Sequence, residues 1–266
     1  MDVVTPPASP ALAPFVEALW YVEKRVPHGR ERVLPSGGMQ LLVNLGEDEL
    51  RSTHGATVRR TRGAALQGAN AEPVVIDTAH RETIMGVAFR PGGAYPFFPA
   101  PASATRGDLV EVDALWEPDG ALLRERLLEA ATPAEKLREL EVVLLAHVIC
   151  PLAPDRARAF AVAALDYGMA VDAVADRLGM TPKRLARRFA GEVGLTPKLF
   201  ARVRRFQRLL LAVADGVAVD WARLAAECGY YDQAHLIHDF RAFSGMTPGA
   251  YQARSAWERN HVPLPD

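Results

Sequence analysis

Along the first third of the chain, apolar residues come in short runs: Ala18 to Val26, Met39 to Leu45, Val74 to Asp77 and Thr83 to Phe89. Turn-forming clusters separate them, namely Pro35-Ser36-Gly37-Gly38, Gly46-Glu47-Asp48 and Pro91-Gly92-Gly93. Short β-type runs between such breakers read as strands, and several in succession predict a sandwich or barrel-like β-domain. After Asp119 the period changes. Leu122, Leu123, Arg126 and Leu127, then Leu137, Leu140, Val143, Leu144 and Val148, recur every three to four residues and predict two helices. Thr132-Pro133 suits the cap and first position of the second helix. Cys150-Pro151-Leu152-Ala153-Pro154 then breaks the pattern and divides the chain into regions 1–150 and 155–266. The two leucine-rich stripes are apolar enough for a helix-mediated homodimer contact, and equally suited to pack on the chain's own β-domain.

Beyond the break the pattern is helical throughout, and it repeats. Val174-Ala175 with Leu178-Gly179 is answered by Leu224-Ala225 with Cys228-Gly229, 50 residues on. Leu185, Phe189, Gly194, Thr196, Pro197 and Phe200 are answered by Leu236, Phe240, Gly245, Thr247, Pro248 and Tyr251, 51 residues on. Each copy reads as a short helix, a glycine-containing turn and a second helix, the helix-turn-helix layout. In the first copy Thr181 caps the second helix and Pro182 opens it, Leu185 and Phe189 face inward, and Lys183, Arg184, Arg187 and Arg188 face outward. In the second, Asp232 is the cap and Leu236 and Phe240 face inward, leaving Gln233, Ala234, Ile237 and His238 outside. The expected architecture is therefore α+β: a β-barrel-like domain with helices, then an all-α domain with two helix-turn-helix motifs joined by a long helix.

Charge sharpens this picture. The whole chain carries a net charge of −1, but residues 155–266 hold 16 basic and 12 acidic residues. Arg177 to Arg208 alone holds ten basic residues and one acidic residue, Glu192. Such asymmetry points to nucleic acid. An α-helix fits the DNA major groove and meets base edges with its N-terminal outward side chains. The base-edge candidates are Lys183, Arg184, Arg187, Gln233, Ala234 and His238. The phosphate candidates are Arg188, Lys198, Arg202, Arg205 and His235, the arginines of the connector also having stems suited to burial. A connector helix from Thr196 to Ala214, ended by Asp215-Gly216, would span ~28 Å, near the ~34 Å of one DNA turn. One chain could then place two recognition helices in successive groove segments of a double-stranded site.

At these residues the sequence resembles the AraC/XylS family of transcription regulators, over about Arg156 to Arg254. The most specific part is Gly229-Tyr230-Tyr231-Asp232-Gln233-Ala234-His235-Leu236, then Phe240, Gly245-Met246-Thr247-Pro248 and Tyr251. It departs from the family pattern in four places. Tyr231 replaces a small polar residue, Leu236 a phenylalanine and Gln252 an arginine, and His238 stands where arginine is common, which weakens a guanine contact there. Phe89-Arg90-Pro91-Gly92-Gly93, Phe97-Phe98, Leu109-Val110 and Leu115-Trp116 resemble an uncharacterised N-terminal domain type carried by some members. The resemblance implies a regulator that binds promoter DNA and engages RNA polymerase, whether as activator or repressor being left open. It also implies an N-terminal sensing and dimerisation domain that answers a small-molecule effector, at residues the sequence does not assign. Arg90 could grip an anion there, but fixing the turn at Pro91-Gly92-Gly93 is the favoured role.

Other classes fit less well. The composition, 49% hydrophobic and 24% charged, is that of a globular protein. Cys150 and Cys228 lie 78 residues apart without a CxxC pair, and read as free thiols. His28, His54, His80 and His147 are too scattered for a metal-dependent β-barrel enzyme, and nucleophile-elbow and phosphate-loop motifs are lacking. No catalytic residue, metal or cofactor is expected. An architectural DNA-binding protein without an effector remains the alternative. The N-terminus lacks the basic and apolar regions of a signal peptide, and no run is long enough to span a membrane.

Overall fold

The structure is a computed structural model that describes residues 1–24, 29–79, 81–117, 119–213, 220–252 and 258–265. His28, His80, the Asp215-Gly216 turn, and the far ends of the first run at Val26, the connector at Ala214 and the family resemblance at Arg254 lie outside the described residues. Two antiparallel sheets build the N-terminal half. The first holds β1 (Asp2–Thr5), β2 (Val16–Glu23), β4 (Gln40–Asn44), β7 (Ala64–Gln67), β9 (Thr83–Phe89) and β10 (Leu109–Glu111), in the order β1-β2-β9-β4-β7-β10. The second holds β3 (Arg30–Val33), β5 (Leu50–His54), β6 (Thr57–Thr61), β8 (Val74–Asp77) and β11 (His261–Leu264), in the order β11-β3-β8-β5-β6. Among the described residues no strand pairing joins the two sheets. The barrel-like expectation therefore resolves into two facing sheets rather than a closed barrel.

The runs at Val74–Asp77 and Thr83–Phe89 form strands with the expected bounds, and Gln40–Asn44 lies within the expected Met39 to Leu45. A small apolar cluster of Trp20, Leu42, Leu50, Ala65, Ile84 and Leu109 draws on strands of both sheets. The larger core is continuous from the first sheet through every described α-helix.

Helices α1 (Gly120–Glu129) and α2 (Pro133–Ala146) follow. Thr132 and Glu135 form a reciprocal capping box at the start of α2. The stripes lie in the chain's own core through Leu123, Leu127, Leu137, Leu140, Val143 and Leu144. Leu122, Leu128, Val142, Leu145 and Ile149 nevertheless stay exposed. Buried Glu141 on α2 accepts hydrogen bonds from the amides of Ala8 (2.7 Å) and Ser9 (3.0 Å), which pins the N-terminal segment. Trp116 stacks between Phe98 and His147 and donates its indole N–H to the carbonyl of Phe97 (2.7 Å). His147 is thus an aromatic packing partner. Arg90 donates to the carbonyl of Ala13 (3.0 Å), so its side chain ties down the segment before β2 rather than its own Pro91-Gly92-Gly93 turn.

Among the described residues beyond 155, the α-helices are α3 (Arg156–Asp166), α4 (Val171–Arg177), α5 (Pro182–Val193), α6 (Pro197–Ala212), α7 (Trp221–Glu227) and α8 (Gln233–Ser244). The connector α6 has 16 residues, about 24 Å, rather than the expected nineteen. No helix of the described residues is long and apolar enough to cross a membrane.

The N-terminal half grips this helical array at two places. Around α5, Gly194 packs against Ala69 and the carbonyl of Ala102 so closely that a Cβ would come within 2.8 Å of Ala69. Its φ of +90° also favours glycine. At the second place the chain's own C-terminus returns. β11 pairs antiparallel with β3 over four residues, from His261 opposite Val33 to Leu264 opposite Arg30. The amide of Leu34 donates to the carbonyl of Asn260 (2.8 Å). Gln207, buried in α6, donates its amide to both the Pro35 carbonyl (2.8 Å) and Asn260 (2.8 Å). Arg32 of β3 donates to the carbonyl of Ser244, at the end of α8 (3.2 Å).

Candidate nucleic-acid interface

Each motif is assembled from the same local devices. In the first, α4 turns at Gly179 (φ +62°), and Thr181 accepts from the Arg184 amide (3.3 Å) to start α5. In the second, α7 is capped by Asp220 and turns at Gly229 (φ +81°), and Asp232 accepts from the His235 amide (2.7 Å) to start α8. Gly194 and Gly245 end the two recognition helices in left-handed conformations. Leu185 and Phe189, and Leu236 and Phe240, are buried as the spacing predicts.

Most outward residues are where the sequence puts them, but Ile237 is half-buried and packs against the core, and Arg188 is half-buried too. Lys183, Arg184, Arg187, Gln233, Ala234 and His238 are all exposed. Arg177, Lys183, Arg184, Arg187 and Lys198 make no ion pair with a described residue, so their charge is available to a ligand. The remaining cations of the basic stretch are engaged inside the domain. Arg188 pairs with Asp155 and with Glu192 (2.9 Å), and Glu192 also meets Arg158 (3.4 Å). Arg204 and Arg208 both reach Asp166, at 3.0 and 3.2 Å.

Arg202 and Arg205 converge on Asp239, at 2.7 and 3.1 Å, and that carboxylate is fully buried. His235 stands beside it at 3.7 Å, and Arg205 lies 4.6 Å over the Tyr230 ring. Burial first, then the Asp239 charge, pushes the Tyr230 hydroxyl far above its ordinary pKa and keeps it neutral. Three of the phosphate candidates, Arg188, Arg202 and Arg205, therefore also hold helices together, and His235 belongs to the same network as Arg205.

Sequence reasoning missed the buried, ion-pairing role of Asp239. An aspartate beside the inward Phe240 was the available signal, because an acid on a packed helix face needs cationic partners. The free thiol of Cys228 is buried behind the second turn, and Cys150 is half-buried. Among the described residues no cluster of three metal-ligating side chains occurs.

Residues 174–254 match a family described as a helix-turn-helix domain, and residues 4–111 match one described as a domain of unknown function (DUF6597). The HTH-type transcriptional regulator GadX of Escherichia coli O6:H1 is 30% identical over 138 residues, 52% of this chain and 50% of that protein. The HTH-type transcriptional regulator VirS of Mycobacterium tuberculosis is 35% identical over 82 residues, 31% of this chain and 24% of that protein. The chain spans half the length, or less, of these relatives. A crystal structure of ToxT from Vibrio cholerae with a bound unsaturated fatty acid aligns over 88% of this chain and 92% of that one, at a TM-score of 0.45 and 8% identity.

Proposed function

We propose that the chain is a transcription regulator of the AraC type which binds a specific double-stranded promoter site with both motifs; the helix-turn-helix match over residues 174–254 supports this reading. The observation that carries this is the pair of recognition helices, α5 and α8. Both are capped and turned alike, both present exposed side chains, and the stiff α6 joins them. Lys183, Arg184 and Arg187 read guanine edges and add charge, while Gln233, Ala234 and His238 read by fit and hydrogen bonding. Lys198, unpaired and exposed, meets phosphate. Region 1–150 senses a small-molecule effector and biases how the motifs are presented, since it touches the helical array beside both α5 and α8. Homodimerisation through the exposed face of Leu122, Leu128, Val142, Leu145 and Ile149, and contact with RNA polymerase at the promoter, belong to the same reading.

Arg187 and His238 occupy equivalent positions, 51 residues apart, and provide the test. Salt titrations of Arg187→Ala and His238→Ala on a selected duplex and on a scrambled one read both roles at once. Arg187→Ala is expected to lose tenfold or more on the selected duplex, since a good base contact is worth about 1–3 kcal/mol, and less on the scrambled one. His238→Ala should change base preference with little change of salt slope. Equal losses for Arg187→Ala on both duplexes would reduce that arginine to a phosphate anchor.

A further inference from the structure

Tyr231 is the residue that interrupts the repeat. The copies run 50 residues apart up to Gly179 and Gly229, and 51 apart from Leu185 and Leu236 onward. The extra residue lies in the second turn, where Gly179-Met180-Thr181 is answered by Gly229-Tyr230-Tyr231-Asp232. Backbone hydrogen bonds identify which tyrosine is the addition. The Met180 amide donates to the Ala175 carbonyl (2.9 Å), and the Tyr230 amide donates to the equivalent Ala225 carbonyl (2.8 Å). Tyr230 therefore takes the place of Met180, and its ring is buried. Tyr231 is the inserted residue, and it is 92% exposed.

Its backbone is firmly held. The Tyr231 amide donates to Nδ1 of His235 (3.4 Å), the next residue caps α8, and Nε2 of His235 faces Arg205 (3.2 Å). The ring and hydroxyl of Tyr231 make no hydrogen bond or ring contact with a described residue. A large side chain on a fixed base, wholly in solvent at the mouth of a recognition helix, is placed to meet a ligand. The first two turns of α8 also lack the cations with which α5 can hold a polyanion, Arg241 standing in the last turn. Where α5 offers Lys183, Arg184 and Arg187, the equivalent positions of α8 are Ala234, His235 and His238.

We propose that Tyr231 supplies the missing grip, its hydroxyl donating to a DNA phosphate that flanks the segment faced by α8. Tyrosine is among the neutral donors that hold the phosphate backbone, and it carries no sequence information in that role. Being uncharged, it releases no counterion, so its contribution is independent of salt. The inference rests on the DNA-binding reading above.

The test uses the full chain with a duplex it selects from a random-sequence library. Tyr231→Phe should bind about ten- to a hundredfold more weakly, the worth of one hydrogen bond to a charged group, on selected and scrambled duplexes alike. Its salt slope should match that of the wild type. A scan of single methylphosphonate linkages should reveal one position that weakens the wild type by a similar factor and weakens Tyr231→Phe no further. Thermal unfolding of this solvent-exposed variant should be unchanged. If the wild type binds and Tyr231→Phe binds equally well, the inference falls while the DNA-binding reading stands. A loss confined to the selected duplex would make Tyr231 a base reader and overturn the phosphate role. A wild type that binds no duplex overturns the reading, and the inference with it.

Discussion

The two helix-turn-helix copies share their caps, their turn glycines and their buried pairs, yet they place opposite charges at one equivalent position. Arg188 of α5 and Asp239 of α8 are 51 residues apart and occupy the same place in the repeat. Arg188 lies at the edge, 38% exposed, and pairs with Asp155 and Glu192. Asp239 is fully buried and gathers Arg202 and Arg205 from the connector. The inversion has a consequence for function. In the first copy the cations outside the ion pairs, Lys183, Arg184 and Arg187, all stand on the recognition helix. In the second, the nearest arginines are turned inward to neutralise an acid, and α8 is left without an unpaired lysine or arginine in its first two turns. Affinity should therefore come mainly from the first motif, and rigid placement from the second.

Removing the buried acid should break this comparison most severely. Asp239→Ala leaves two guanidiniums facing a space that held their partner. Deleting one member of a buried pair costs about 3–5 kcal/mol, and the partial exposure of both arginines argues for about 3 here. Urea unfolding followed by circular dichroism reads the cost. A loss under about 1 kcal/mol, the range of exposed pairs, would show that the second motif does not depend on its buried charge.

A second difference is how the N-terminal half holds each copy. The first is packed by close contact at Gly194. The second is tied by the C-terminal strand, with β11 on β3, Asn260 on Gln207 and Leu34, and the His261 ring 2.9 Å from buried Glu31. Deleting residues 258–266 should cost about 2 kcal/mol, a few net hydrogen bonds. Hydrogen exchange should speed up in β3 and α8 and stay unchanged in α5. Uniform loss of protection through both motifs would mean that the strand supports the whole helical array rather than one copy.

How much of this is legible in the sequence follows from its physical causes. Caps, turn glycines and the i, i+4 buried pairs are local. They are legible at Thr181, Asp232, Gly179, Gly229, Leu185 and Phe240 from neighbours in sequence alone. The strands Arg30–Val33, Leu50–His54 and Thr57–Thr61 were not read, because RERV, LRSTH and TVRRT lack a clear apolar alternation. Their stability comes from neighbours distant in sequence. β11 was hidden further, since HVPL at the chain end, with a proline, resembles a tail. Pro263 is tolerated there because β11 is an edge strand. On the interface, the outward residues were legible from helical period alone. The engagement of Arg188, Arg202 and Arg205 was not, because their partners Asp155 and Asp239 are brought to them only by the packing of α3, α5, α6 and α8.

The smallest expected effect is the counterpart of the first. Arg188→Ala removes two pairs of a half-exposed guanidinium, 38% exposed, with Asp155, 30% exposed, and Glu192, 15% exposed. Partly exposed pairs are worth about 0.2–1 kcal/mol each, so the variant should lose about 1 kcal/mol, less than Asp239→Ala. Its cost should also depend on pH. Burial raises the Asp155 pKa, but the Arg158 amide and the guanidiniums of Arg188 and Arg158 outweigh it and hold the carboxyl below its ordinary value. A depressed folded pKa means that the contribution is complete above the unfolded value, about pH 4, and fades as the pH falls below it. The stability difference between wild type and Arg188→Ala should accordingly be constant from pH 7 to 5 and shrink in more acid solution. If it instead equals the Asp239→Ala loss, the two copies bear the same load at this position, and the division between a cationic first motif and a rigid second one fails.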